Sequence, residues 1–424
     1  MGKEAIKKTN LSRNTMAVFS LVGGALVLIC TGGGIYGASV MTVAPAAERF
    51  GVTTAVTGMY NTAWLVGLIL SAFLGGKIIA KINTNGSAIL GGVLGFLGLL
   101  LMGFAPALPI YFFGAFLTGW PICLTGPALL QTTISKWYYK GRATMIGVVG
   151  MTEAIGTTIV ANVTAKLLDN AGTGYTTALI FAACFVLVGN LLAGLIFFRG
   201  VPEDYGYVPV GAENMRSESG ALDVPGLTKK EAYSKSYFWM FLIGMSILNM
   251  GYGLVQPQLS AYSQFLGYSA AQAAILVSVW SWGKSLIKIV YGFLGDKFGL
   301  RVGICGIAII PIITGILYIF NTGFPVLILC AAGMGIIGGL TGAGTLGISR
   351  MVGSKELTKM ALLPHGFNGI GNFFTGFIFR AMFTGTMGGY QRAYTLSVVV
   401  LVVYFVLMYI SLNKKNMFES EGTL

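Results

Sequence analysis

The sequence predicts an all-α membrane protein, twelve transmembrane helices in two pseudo-symmetric bundles of six. Three observations carry this. Of the 424 residues, 55% are hydrophobic and only 10% charged, and the mean hydropathy of +0.78 excludes a water-soluble globular domain. Apolar runs near the ~20 residues that a bilayer core demands recur twelve times. A single long polar stretch rich in Pro, Gly and Ser, from about 199 to 236, separates six of these runs from the other six.

In chain order the runs are 16–44, 54–80, 87–105, 108–134, 142–167 and 176–198, then 237–265, 270–295, 302–320, 325–349, 359–384 and 392–412. The expected organisation is therefore a bundle over 1–198, a connector over 199–236 and a second bundle over 237–424. The first run follows a basic tail (Lys3, Lys7, Lys8, Arg13), but it is too long for a secretory signal and lacks a small-residue cleavage pattern, so it reads as a retained helix. Assigning alternate loops to one side collects nearly all of the 27 basic residues there. Only Arg49, Lys166, Arg380 and Arg392 fall opposite, and Lys284 and Lys288 lie inside a run. By the positive-inside rule both termini are expected in the cytoplasm of a cell whose cytoplasmic (inner) membrane holds the protein. A basic face against anionic lipid accounts for the formal charge of +13, so no nucleic-acid partner is invoked. The five cysteines at 30, 123, 184, 305 and 330 all lie in apolar runs with no CxxC or Cys/His spacing, so neither disulfide nor metal is expected.

Charge inside the apolar runs is where function is sought, because it costs ~2.5–3.5 kcal/mol per residue on insertion scales. Lys284 and Lys288 sit in AAILVSVWSWGKSLIKIVYGFLG. At 1.5 Å per residue, Lys284 is roughly 18 Å from the helix end at Asp296, close to the midplane. The four-residue spacing stacks both ammonium groups on one face, where they repel unless an anion joins them. Lys288, one turn nearer the end, has the competing option of snorkelling to the headgroups. Glu153 is the other charge at depth, with three readings: a counter-ion for a lysine, a proton site, or a contact for the amine of a zwitterion. His365, the only histidine, is either a packing residue or a gate. Asn249, with Tyr252 and Gln256 beside Pro257, and Asn368 either bind a passenger or bond helix to helix. Nothing resembles a phosphate loop, a nucleotide fold or a hydrolytic triad, so neither an enzyme nor a cofactor is expected. Glycine, 62 residues, clusters as GGG at 32–34, GG at 91–92 and GMGIIGGLTGAGTLG at 333–347. The last cluster is expected either to seat a neighbouring helix closely or to widen a central cavity.

GFLGDKFGLR at 292–301 resembles the signature loop of the major facilitator superfamily, with Gly292, Asp296, Lys297 and Arg301 at its fixed offsets. The equivalent place in the first half, GKIIAKINTN at 76–85, has Ala80 where an Asp is expected. The resemblance implies that this loop gates transport, unequally in the two halves. KWYYKGRATMIGVVGMTEAIG at 136–156, PEDYGYVPVG at 202–211 and SKSYFWMF at 235–242 are similar to the oxalate:formate antiporter family and its monocarboxylate-transporter relatives. That likeness implies a two-cation clamp in the eighth and eleventh spans. Lys288 falls on the first position and Asn368 on the second, so one cation is missing and Lys284 takes part of its role. Tyr36 matches a family tyrosine, and Trp64 stands where a polar binding residue is expected.

The resulting expectation is a secondary transporter, monomeric in membrane lipid, that moves a small organic anion, first of all a monocarboxylate, by alternating access. Antiport against a second anion and proton symport are both open. Lys284, Lys288, Tyr36, Trp64, Asn368, His365 and Asn249 would bind the passenger, with Glu153 as coupling or counter-ion residue. The alternatives are a carrier of a zwitterion or larger amphipathic anion, a multidrug exporter, and a sensor that moves nothing.

Overall fold

Helix boundaries follow local chemistry. Ser12 accepts a bond from the Thr15 amide at the head of the first span. A capping box between Ser269 and Gln272 opens the eighth. Pro257, which has no amide to give, lies in a 3-10 turn, Gln256–Gln258, that separates Ser236–Val255 from Leu259–Phe265 inside the seventh span. Asn83, at φ 60° and ψ 178°, turns the chain within Tyr60–Phe104 and so divides the second span from the third.

This computed structural model describes residues 11–138, 142–170, 172–200, 202–210, 226–320, 323–353, 360 and 363–418. They are almost wholly helical. Among them nine helices are long and apolar enough to cross a membrane, from Arg13–Met41 to Met387–Ser411. The other three spans are the second, before Asn83; the tenth, Phe324–Leu340 continued by Ala343–Val352; and the eleventh, split at Phe374 into Leu363–Phe373 and Thr375–Met382. The architecture is the expected one, two six-helix bundles.

The chain forms two compact units, one from Met1–Pro45 and Ala63–Ser219, the other from Ala46–Thr62 and Gly220–Leu424. In the first, Met16, Leu28, Leu130, Ile134, Trp137 and Val149 form a core over which Tyr205, Tyr207 and Val210 pack. The front of the polar stretch is fixed there: the Val210 amide donates to Trp137 O (2.8 Å), the Trp137 indole to Gly200 O (3.2 Å) and the Tyr207 hydroxyl to Leu11 O (2.9 Å). In the second unit the far end of the stretch is fixed by the Leu227 amide on Val352 O (2.7 Å), and the Phe418 amide reaches Arg350 O (2.9 Å).

The glycine run of the tenth span seats a neighbour. A Cβ on Gly335 would collide with the Trp280 carbonyl, one on Gly339 would stand 2.5 Å from the Lys284 carbonyl, and one on Gly283 would collide with the Ala332 carbonyl. The eighth and tenth spans thus touch backbone to backbone, which only glycine on both sides permits. Close seating, one of the two outcomes open from the sequence, is found at Gly335 and Gly339.

Candidate functional site

In the first unit, Glu153 of the fifth span (helix Arg142–Leu168) is buried, 6% exposed. It faces the first span at the GGG run, where a Cβ on Gly32 would lie 3.0 Å from the Glu153 Cγ and 3.3 Å from its Oε1. The helices also meet at Gly33, whose Cβ would stand 2.5 Å from the Gly156 backbone, and at Gly156, whose Cβ would strike the Ile29 carbonyl. Here the first span widens into a π-helical stretch, Leu28–Gly33, a feature often found at functional positions. Thr31 in that stretch accepts from Asn190 (2.6 Å) and from Thr125 (3.4 Å), so the sixth and fourth spans hold it in place. One turn on, the Tyr36 ring lies 5.5 Å from the Trp64 ring, and the buried Trp64 indole N–H has no partner among the described residues.

In the second unit, Lys284 and Lys288 stand one turn apart in Ala270–Phe298 and are both half-buried. The Lys284 stem is directed at the tenth span: a Cβ on Gly338 would lie 3.1 Å from its Cγ and Cδ, and 2.9 Å from a ring carbon of Tyr252. Tyr252 in turn lies 5.9 Å from Trp280, centroid to centroid, and both are buried. The structure therefore brings together Lys284, Tyr252, Trp280 and Gly338 from three spans. Trp280 escaped the sequence reading, although it precedes Lys284 by four residues and so shares its face.

Asn249 and Asn368 also meet. With its amide turned to suit its neighbours, Asn368 donates to Met245 O (2.9 Å) and Pro364 O (3.3 Å) and abuts the Asn249 amide at 2.7 Å, while Asn249 donates to Met245 O (3.3 Å). Both side chains are buried and join the seventh span to the eleventh. His365 is exposed in the first turn of Leu363–Phe373, three residues before Asn368.

Comparison with known proteins follows the fold. The profile of the Major Facilitator Superfamily matches residues 24–270 and again 241–422, which together span nearly the whole chain.

The chain belongs to the Major Facilitator Superfamily.

Membership places it among transporters rather than enzymes. Among curated superfamily proteins it is similar to monocarboxylate transporter 12 of Xenopus laevis, 27% identical over 258 residues, 57% of this chain and 55% of that one. It is also similar to monocarboxylate transporter 13 of Rattus norvegicus, 24% identical over 246 residues, 56% of this chain and 52% of that one. The match spans about half the length of these relatives. Among solved structures, a bacterial homolog of the human lysosomal transporter Spinster, in an inward-facing and occupied conformation, superposes with a TM-score of 0.69 at 14% identity, covering 98% of this chain and 100% of that one. The E. coli xylose transporter XylE, partially occluded and inward open, gives 0.67 at 13% identity, covering 97% and 99%. At such identities these structures speak for the fold alone.

In the superfamily's signature loop, Lys297 is exposed, its ammonium 5.4 Å from the Phe298 ring and 5.9 Å from Phe293. The Arg301 guanidinium lies over the ring of Tyr409 in the twelfth span, 3.5 Å from its centroid. The side chains of Gly292, Asp296 and Ala80 lie outside the described set.

Proposed function

We propose that this superfamily member is a secondary transporter that carries a small organic anion, first of all a monocarboxylate, across the cytoplasmic membrane by alternating access, with both termini in the cytoplasm. The observation that carries the reading is the setting of Lys284. Its stem lies beside Gly338 and Tyr252 within the second unit, and a charged side chain in an apolar span marks a passenger or ion path. The named similarity to monocarboxylate transporters supports the same passenger class.

On this reading Lys284 and Lys288 supply the charge, and Tyr252 and Trp280 wall the passenger. In the first unit Tyr36 and Trp64 are the candidate passenger contacts; in the second, Asn249 and Asn368 brace the helices that carry the lysines, and His365 serves near the helix start. Glu153 is the coupling or counter-ion residue, held in the notch at Gly32. Arg301 and Lys297 act in the gating loop.

The test is uptake into proteoliposomes of labelled lactate, formate, oxalate and betaine. Lactate or formate is expected to be carried at least tenfold better than oxalate or betaine. Preference for betaine would turn the reading toward zwitterions, and no flux of any solute would sink it. In the same vesicles Glu153→Gln is expected to retain lactate counterflow while losing stimulation by an imposed proton gradient. Loss of both would make Glu153 a structural counter-ion instead.

A further inference from the structure

The two units repeat one arrangement at a fixed offset along the chain. Tyr36 and Trp64 are 28 residues apart, with ring centroids at 5.5 Å and planes at 58°; Tyr252 and Trp280 are also 28 residues apart, at 5.9 Å and 59°. The close backbone approaches repeat with them. A Cβ on Gly119 would strike the Trp64 carbonyl and one on Gly67 the Phe116 carbonyl, and 216 residues later a Cβ on Gly335 would strike the Trp280 carbonyl and one on Gly283 the Ala332 carbonyl. The first, second and fourth spans therefore pack in the first unit as the seventh, eighth and tenth do in the second.

Both copies hold an open donor. The Trp64 and Trp280 indoles are buried, 6% and 4% exposed, and neither N–H has a hydrogen-bond partner among the described residues. Leaving a buried donor unpaired is costly, and the cost recurs at the matching place in each unit, as expected of a donor kept for a group that comes and goes. One turn further on, the copies part. The offset that takes Trp64 to Trp280 takes Leu68 to Lys284, so only the second copy adds a cation to the face that carries the open indole. Tyr252 links the two groups, because its ring packs on Trp280 while a ring carbon and the Lys284 stem both border Gly338, 2.9 and 3.1 Å from where a Cβ would stand.

We propose that the Trp280 indole N–H is a second donor to the passenger's carboxylate, taking one oxygen while the Lys284 ammonium takes the other, and that this pair selects a carboxylate over the uncharged amide of the same shape. The proposal rests on the transporter reading above. A carboxylate accepts at both oxygens and so satisfies both donors at once, whereas an amide offers one acceptor and a competing N–H.

The experiment follows the indole N–H resonances of the six tryptophans in nitrogen-15-labelled wild type in detergent while sodium lactate or lactamide is added. Those of Trp280 and Trp64 are assigned by their loss in W280F and W64F. Lactate is expected to move the Trp280 resonance downfield and saturably, lactamide to leave it in place, and the Trp64 resonance, a turn from Leu68, to move less. W280F, which keeps a ring against Tyr252, is expected to weaken lactate binding about tenfold, as loss of one bond to a charged group should, with melting near wild type. Added to K284Q it should cost no more than about threefold further, because the two donors act on one group. A Trp280 resonance that stays still at saturating lactate, or moves no further than that of Trp64, overturns the proposal, and so does unchanged affinity in W280F. If wild type binds neither lactate, formate nor oxalate, the transporter reading fails and takes this proposal with it; lactate binding with a silent Trp280 fails the proposal alone.

Discussion

Lys284→Gln is expected to lower lactate uptake, measured as kcat/KM in proteoliposomes, by about 10- to 100-fold. A hydrogen bond to a charged group contributes about 1.5–3 kcal/mol, and each 1.4 kcal/mol is a factor of ten. Glutamine keeps most of the stem that lies on Gly338 and Tyr252, so the helix contact survives and the loss reports the missing charge. Lys288→Gln, on the same face but a turn nearer the helix end, is expected to cost less than tenfold. Two controls make the result specific. Melting of the detergent-solubilised variants should stay near wild type, and uptake should fall for monocarboxylates without a gain for betaine. Unchanged uptake in both single variants and in the double variant would remove the lysines from the pathway.

Gly335→Leu is expected to be strongly damaging to the second unit. The added Cβ falls on the Trp280 carbonyl, which belongs to a helix backbone and cannot swing aside as a side chain would. Overpacking ordinarily costs about 1–3 kcal/mol, and a backbone obstacle puts this site at the top of that range. At about 2–4 °C per kcal/mol for a unit of this size, melting should fall by roughly 6–12 °C, together with the yield of monodisperse protein. Gly306→Ala in the ninth span meets nothing within 4 Å and is expected to leave melting unchanged. Equal melting of the two variants would mean that the eighth and tenth spans do not depend on their close approach.

Much of the fold was legible because hydrophobic run length is a local property. The polar stretch that separates six apolar runs from six follows from counting along the chain. What the sequence left open were facts of pairing. The glycines of 333–347 were compatible with a seat or a cavity until Trp280 and Lys284 were found with their carbonyls against them. The GGG at 32–34 did not disclose that the first span winds as a π-helix opposite Glu153, because that depends on Asn190 and Thr125 arriving from other spans to hold Thr31. Asn249 and Asn368 were legible only as polar residues in apolar runs; the structure shows that their amides meet and donate to backbone carbonyls. The grouping of residues 46–62 with the second unit had no sequence signal, since the Asn61 amide donates to Asn372 Oδ1, 311 positions away.

That grouping bears on how the polypeptide can be divided. A cut in the polar stretch looks like the natural place to separate the halves, and would yield two fragments each ending in residues already anchored to its own side. The carboxy-terminal fragment would nevertheless lack seventeen residues of its own unit, Ala46–Thr62, which travel with the other piece. Expressed alone it should be incomplete and poorly behaved. Co-expressed with its counterpart it should recover, because the amino-terminal fragment delivers the missing loop and so acts as a subunit rather than a neighbour.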